Sequence, residues 1–210
     1  MITIKTVPSE DVLYGQSKWW GFPDLPDDLD WPTAQAEDEG ETFEDPLTFI
    51  CQIRCSDLAA LDPEGLLPHE GMLYFFAALD YFLGDLDAFL TPGMGEWPSE
   101  YFRVLYSPTC EGLNTHTLMY DEDTPAALPP EAIQFVIPSE AKESFTWLLG
   151  ESYLEEVREA MPGLVPLLQI DENDDWGLRF FDCGMLTFMI SPADLAARRF
   201  DRVRAHLYSA

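Results

Sequence analysis

Apolar residues in this chain form short runs separated by turns rich in Gly, Pro, Asn and Asp. Runs of strand length with such boundaries predict buried β-strands. The pattern is densest at residues 167–190, where the apolar runs 167–170 and 184–190 flank an acidic turn. Because unpaired acidic side chains are costly to bury, we expect that turn to be a loop.

An earlier stretch, residues 47–76, has the same organisation. Gln52 closes its first apolar run, as Gln169 closes the later one, and GMLYF at 71–75 parallels GMLTF at 184–188. The order of these landmarks is kept, and the loop between them differs by an ordinary insertion. A period this long is not that of a solenoid. We therefore predict one domain over residues 1–210, built from two related halves, roughly 1–110 and 111–210. Coincidence between two apolar strands is the alternative.

The remaining elements lead us to predict the α+β class. Alternating or apolar segments predict strands at 1–7, 101–106 and 132–137. Residues 140–158 have helical spacing behind Ser139 as N-cap, with Glu140 and Glu143 in the first turn, and Ser191-Pro192 begins a short second helix. Residues 79–90 fit either a bent strand or a helix. The predicted fold is a single β-rich domain with mainly antiparallel strands and a few helices.

The net charge of the chain is extreme, at −28, because the sequence has 39 acidic residues and 11 basic ones. Such a chain has no basic surface for nucleic acid or an anionic membrane, so we expect neither as a partner. The acids could form a solvated coat, attract a basic protein partner or bind cations. Their spread through every third of the chain favours the coat.

The start of the sequence and the cysteines predict a cytoplasmic location. Residues 1–10 have no basic region followed by an apolar core of a signal peptide, and no apolar run is long enough to span a membrane. The sequence contains no Cys-x-x-Cys pair, and we expect its four cysteines to be free thiols.

Seven short motifs, in order, resemble the YwqG-like family of bacterial proteins, a domain of unknown function. They are S-K-x-x-G-x-P-x-L-P at 17–26, W-P at 31–32, P-L-x-F-I-x-Q-I at 46–53, G-M-L-Y-F-F at 71–76, L-L-G at 148–150, L-L-Q-I-D at 167–171 and D-x-G-x-L-x-F at 182–188. The resemblance spans almost the whole chain and implies a β-rich fold with a duplicated core. It implies no established activity. The chain departs from the family at Glu151-Ser152, where members tend to have proline.

Candidate ligand-binding residues come from the two equivalent glutamines and the aromatic segment 17–33. Gln52 and Gln169 either bond the neighbouring backbone or face a shared cleft between the halves. In the second case Trp31 and Lys18, with Asp171 and Asp182, are candidate walls of the cleft. The aromatic residues of segment 17–33 either cover the core or form a binding wall.

The acidic turn has some features of a calcium loop. Asp171, Asn173 and Asp175 alternate, as oxygen ligands do in such loops, and Asp182 stands at the twelfth position. The glycine, however, comes one position late, and the closing acid is Asp instead of Glu. Calcium is the one cofactor that the sequence suggests, and a solvated turn is the alternative.

A catalytic set is not evident. His69, His116 and His206 lack metal-ligand spacing, and the sequence has neither a phosphate-binding glycine loop nor a nucleophile elbow. The leading hypothesis is therefore a non-enzymatic binding protein whose acidic surface engages a basic protein partner, in the manner of an antitoxin or immunity factor. The alternative is a protein that binds a small ligand or cation in the cleft between its halves.

Overall fold

The computed structural model describes residues 1–137 and 144–209. Within these residues the chain forms fifteen strands, two short α-helices and several 3₁₀ turns. In chain order they are β1 (Ile2–Pro8), β2 (Lys18–Trp19), β3 (Asp24–Pro26), β4 (Thr33–Asp38), β5 (Glu41–Pro46), β6 (Thr48–Arg54), β7 (Met72–Ala77), β8 (Gly95–Trp97), β9 (Phe102–Ser107), β10 (Leu113–Thr115), β11 (Glu131–Val136), β12 (Trp147–Leu148), α1 (Glu155–Ala160), β13 (Val165–Asp171), β14 (Met185–Ile190), α2 (Pro192–Ala196) and β15 (Arg204–Tyr208).

Eleven strands form one antiparallel sheet in the order β8-β15-β14-β13-β12-β1-β11-β2-β6-β7-β9. The two edge strands, β8 and β9, follow each other in the chain and are joined by residues 98–101. The two edges therefore come close together, and the sheet is nearly closed. Two smaller sheets, β3–β10 and β4–β5, accompany it.

The prediction of an α+β fold is wrong, because the chain is mostly β, with 39% strand and 12% helix. The largest error falls on the predicted helix 140–158. Residues 147–148 are strand β12, which lies between β1 and β13, and helix begins only at Glu155. Pairing with two neighbouring strands overrides the helical spacing there. The predicted cap Ser139, with Glu140 and Glu143, lies outside the described residues.

Alternate residues of the strands face two different cores. The larger cluster lies between opposite arcs of the main sheet, where the ring centroid of Phe188 on β14 lies 5.5 Å from that of Phe75 on β7 and 6.0 Å from that of Phe102 on β9. Tyr74 and Phe76 point the other way and pack with Leu25, Leu47 and other residues of a second cluster. The two small sheets contribute to this second cluster, which covers the outer face of β6 and β7.

The hairpins β6–β7 and β13–β14 have matching registers. Gln52 pairs with Tyr74 and Gln169 pairs with Thr187, and each hairpin has one register shift at the corresponding place, at 49/51 and at 166/168. Strand β1 precedes β2 in the chain but pairs with β12, and β11 precedes β12 but pairs with β2. This exchange of strands joins both hairpins into one sheet. A boundary at 110/111 stays a prediction.

Close backbone contacts explain why a glycine precedes the second strand of each hairpin. A Cβ at Gly71, where φ is +79°, would lie 2.0 Å from the carbonyl oxygen of Ser107. A Cβ at Gly184 would lie 2.2 Å from the carbonyl oxygen of Phe180. Because real Cβ atoms do not approach oxygen so closely, both positions require glycine.

Candidate functional site

A buried ion pair connects the start of the main sheet to the small sheet beside it. Lys18 on β2 is 5% exposed, Asp24 on β3 is fully buried, and Lys18 Nζ lies 2.8 Å from Asp24 Oδ2. The carboxylate also accepts hydrogen bonds from Gly15 N (2.9 Å), Gln52 Nε2 (2.8 Å) and Thr115 Oγ1 (2.7 Å). Four donors from three separate segments of the chain therefore converge on one carboxylate.

These hydrogen bonds decide the ionisation of Asp24. Burial alone would raise the pKa of its carboxyl, but hydrogen bonds from Lys18, Thr115 and Gly15 outweigh burial, so that the pKa is lowered below its ordinary value. A carboxylate offers about two lone-pair sites on each oxygen. Three of the four donors bond Oδ2, whose capacity is filled. Among the described residues Oδ1 accepts one hydrogen bond, from Thr115, so it keeps one acceptor site.

Lys18 has more unused hydrogen-bonding capacity than Asp24. Its ammonium group has three N–H donors, and within the described residues it makes one hydrogen bond, to Asp24. Two donors therefore remain available, on a side chain that is almost wholly buried. A buried donor without a partner is costly, so the site is suited to an acceptor from outside the chain.

A cavity of about 450 Å³ adjoins the ion pair, and both Lys18 and Asp24 line it. Its volume lies in the range of about 300–1,000 Å³ that is usual for small-molecule sites. One wall is the segment 9–14 between β1 and β2, whose Val12 is 86% exposed. The facing wall is apolar and is formed by Phe22, Pro125, Ala127, Leu128, Pro129 and Pro130.

Two smaller cavities lie beyond the segment 125–128. The nearer one, of about 260 Å³, shares Ala127 and Leu128 with the large cavity. The farther one has about 180 Å³, and both are lined by Trp31, Asp80 and Tyr120. Burial raises the pKa of the Asp80 carboxyl, the hydrogen bond from Thr48 opposes this, and the charge of Asp85 adds to it.

The two predicted glutamines are fully buried and serve their own halves. Gln52 Oε1 accepts from Asp24 N, and its Nε2 donates to Gln16 O and Asp24 Oδ2. Gln169 Oε1 accepts from Tyr153 N, and its Nε2 donates to Phe145 O. These are backbone clamps, the first of the two roles considered for them.

The structure brings Lys18 and Gln52 together at Asp24, but it does not bring Gln169 to them. Four strands, β12, β1, β11 and β2, separate Gln169 on β13 from Gln52 on β6. Trp31 lines the two smaller cavities, and its Nε1 donates to the carbonyl of Leu47. A ligand role for these four residues stays a prediction.

The equivalent clamp of the second half contains no ion pair. The backbone partners of Gln52, at residues 16 and 24, are as far apart in the chain as those of Gln169, at residues 145 and 153. By this correspondence Trp147 stands where the first half has Lys18, and Tyr153 stands where it has Asp24. The clamp therefore forms without buried charges.

Three of the four residues of the suggested calcium loop have separate partners. Asp171 Oδ1 accepts from Glu172 N, Asn173 Oδ1 accepts from Trp176 N, and the backbone of Asp182 bonds the hydroxyl of Ser209. Asp175 is exposed. In the part of the chain that the structure describes, no three His, Cys, Asp or Glu side chains are placed to hold a metal ion. Calcium binding stays a prediction.

The acidic turn is attached to the core through an aromatic ring. Trp176 stacks on Trp19 with ring centroids 5.4 Å apart, contacts the edge of Trp20, and donates from Nε1 to Glu131. Trp19 and Trp20 are buried and pack in the core, and Trp20 also lines the cavity of about 260 Å³. A binding wall formed by segment 17–33 stays a prediction.

Sequence reasoning missed Asp24, Thr115 and the segment 9–14. Asp24 lies six residues after Lys18, inside the S-K-x-x-G-x-P-x-L-P motif, and a buried lysine requires a counter-ion. That requirement was a usable signal for Asp24. Thr115 lies far away in the chain, and no local pattern marks it.

Comparison with known protein families gives a match that includes the residues of this site. A family model described as a domain of unknown function, DUF1963, matches residues 17–162 and 146–208. The chain belongs to the DUF1963 family. This membership confirms the resemblance to a family of unknown function, and the matched region begins one residue before Lys18. Comparison with curated proteins gives no match for this DUF1963 chain.

One further observation concerns membranes. Over residues 1–137 and 144–209, the helices are all too short or too polar to cross a bilayer.

Proposed function

We propose that this DUF1963 protein is a non-enzymatic binding protein that holds a small molecule in the 450 Å³ cavity beside Lys18 and Asp24. One observation carries the proposal. The ion pair in the first half opens on this cavity, whereas the equivalent clamp in the second half uses Trp147 and Tyr153.

The energetics of buried ion pairs support this assignment. Burying two charges has a desolvation cost that their attraction offsets only in part, and apolar replacements are often neutral or stabilising. The second half shows such an arrangement at the equivalent place. A requirement of the fold therefore does not explain Lys18, whereas a ligand that uses its free donors does.

The second candidate function is the binding of a basic protein partner by the acidic surface. The net charge of −28 supports it. A cytoplasmic location belongs to the same proposal, since all four cysteines are free thiols.

The proposal can be tested with the neutral dye Nile red, whose fluorescence rises in an apolar site. We expect saturable binding to the wild-type protein. Ala127→Phe places a ring in the cavity wall and should weaken binding at least about tenfold, which corresponds to about 1.4 kcal/mol. Ala60→Phe is the matched control, because Ala60 is exposed and lines none of the cavities described above.

The folded state of both variants is checked by circular dichroism and thermal unfolding. Failure of the dye to saturate, or equal binding by the two variants, would remove the small-molecule proposal. Pull-down of basic proteins at low and high salt tests the second candidate, and no captured partner at low salt would contradict it.

A further inference from the structure

We infer that the ligand of this cavity is an uncharged, largely apolar molecule with a strong hydrogen-bond acceptor, such as an amide or ketone carbonyl. The inference rests on the proposed function and adds the chemical class of the ligand. It follows from three properties of the cavity, namely its unused hydrogen-bonding groups, its net charge and its walls.

Most of the unused hydrogen-bonding capacity at the ion pair is of the donor kind. The Asp24 carboxylate already accepts four hydrogen bonds and keeps one acceptor site, on Oδ1. Lys18 makes one bond with its three donors within the described residues, so two donors remain. The hydroxyl of Tyr14, which also lines the cavity, donates to the carbonyl of Leu113. A ligand at the ion pair therefore has to supply an acceptor.

The charge of the cavity disfavours a ligand that is an anion. Lys18 and Asp24 neutralise each other, and Lys18 is the only basic residue among the described residues that line the cavity. Glu10 and Asp11 line it as well and are exposed. A carboxylate ligand would add a second negative charge next to Asp24, in a protein with a net charge of −28, and would pay the desolvation of an ion without a new counter-ion.

A cationic ligand is disfavoured for a different reason. An ammonium group carries donors and no acceptor, so it cannot satisfy the free donors of Lys18 and is repelled by its charge. Glu10 and Asp11 would attract it to the mouth of the cavity without seating it at the ion pair. A carbonyl oxygen satisfies Lys18 and changes no charge.

The walls determine the rest of the molecule. Val12, Leu13, Phe22 and Leu128, together with three prolines, present apolar surface around the single polar end. Burial of apolar ligand surface contributes about 25 cal/mol per Å², so the apolar body supplies most of the affinity. The carbonyl then orients it, as in other mostly apolar sites with a few polar groups.

A matched series of ligands tests the charge class directly. The probes are 4-phenylbutanamide, 4-phenylbutanoate and 4-phenylbutylamine, which share one apolar body and differ in charge. Binding is measured from the ¹⁵N–¹H signals of Gly15, whose N–H bonds Asp24, and Gly21, which lines the cavity. We expect the amide to bind at least about tenfold more tightly than either ion, a difference of about 1.4 kcal/mol.

The double variant Lys18→Met with Asp24→Asn removes both charges and serves as the second measurement. It avoids leaving one ion buried alone, and we expect its affinity for the amide to fall at least about tenfold, because the carbonyl loses the Lys18 donors. Tighter binding of the carboxylate or of the amine by the wild-type protein would overturn the inference, as would an unchanged affinity for the amide in the double variant.

The outcome for the proposed function is read separately. If none of the three probes moves the Gly15 and Gly21 signals while Nile red binding remains sensitive to Ala127→Phe, the cavity stands and the ligand class inferred here is wrong. If Nile red fails as well, the proposed function itself fails.

Discussion

The two glutamine clamps allow a comparison within one molecule. Gln52→Leu and Gln169→Leu remove side chains of equal size from equivalent strands, and both glutamines are fully buried. The groups that lose a hydrogen bond differ in exposure. Gln52 bonds both the backbone and the carboxylate of Asp24, which is fully buried. The backbone partners of Gln169 belong to Phe145 and Tyr153, which are exposed residues, and its one buried partner is the neutral hydroxyl of Ser152, at 3.3 Å.

The expected losses of stability follow from these partners. An unsatisfied buried group costs about 1–3 kcal/mol, and a hydrogen bond to a charged group is worth about 1.5–3 kcal/mol. Gln52→Leu leaves Asp24 N without a partner and removes one donor from its carboxylate, so we expect a loss of about 4 kcal/mol. After Gln169→Leu, water can reach the exposed partners, and we expect a loss of about 2 kcal/mol.

Urea unfolding followed by tryptophan fluorescence measures both losses. Gln35→Leu, an exposed change on β4, is the control and should stay within about 0.5 kcal/mol of wild type. In thermal unfolding, the difference of about 2 kcal/mol between the two glutamine variants corresponds to about 4–8 °C in Tm for a chain of this size. Equal losses in both variants, or a loss below about 1 kcal/mol for Gln52→Leu, would refute the reasoning.

Three further substitutions test the ion pair, the buried carboxyl of Asp80 and the steric constraint at Gly71. Lys18→Met leaves Asp24 without its counter-ion and should cost about 3–5 kcal/mol at pH 7. The loss of stability in this variant should be smaller near pH 5, because protonation of Asp24 removes the buried charge that has no counter-ion. A loss that does not change with pH in urea unfolding would contradict this. Burial raises the pKa of the Asp80 carboxyl in the folded protein. The ionised carboxylate therefore destabilises the fold at high pH, and this effect is absent below the pKa of the unfolded chain, about 3.9, and appears as pH rises through the pKa of the folded protein. Asp80→Asn should therefore raise stability by about 0.5–2 kcal/mol at pH 7 and by almost nothing at pH 3.5, and equal effects at both pH values would be inconsistent. Gly71→Ala should lower Tm by about 6 °C or more, whereas Gly65→Ala, which has a positive φ and no neighbour within 4 Å, should lower it by less than half as much.

The strands and hairpins could be predicted from the sequence, because the information is local. Short apolar runs bounded by turn residues correspond to β6, β7, β13 and β14. The start of α2 was also predicted correctly, and the Ser191 side chain accepts from Asp194 N there. The residues 79–90 were ambiguous, and a 3₁₀ turn at Asp80–Leu83 that ends at Gly84 accounts for part of them.

The fold class was decided by contacts that the local pattern does not contain. Strand β12 has only two residues, Trp147 and Leu148. They are extended because β1 and β13 bind them on both sides, while their own sequence favours a helix. The exchange of β1 and β11 between the two hairpins is likewise a long-range pairing, and it joins the strands into one nearly closed sheet.

The candidate site divides in the same way. The sequence by itself determined that Gln52 closes an apolar strand and has a counterpart in Gln169, and it suggested Lys18 as a wall of a cleft. Only the tertiary structure decided that Asp24 joins Lys18 and Gln52, because Thr115 and Gly15 complete its hydrogen bonds from other segments. Apolar periodicity records which faces are buried, whereas the meeting of buried polar groups depends on how distant strands pair.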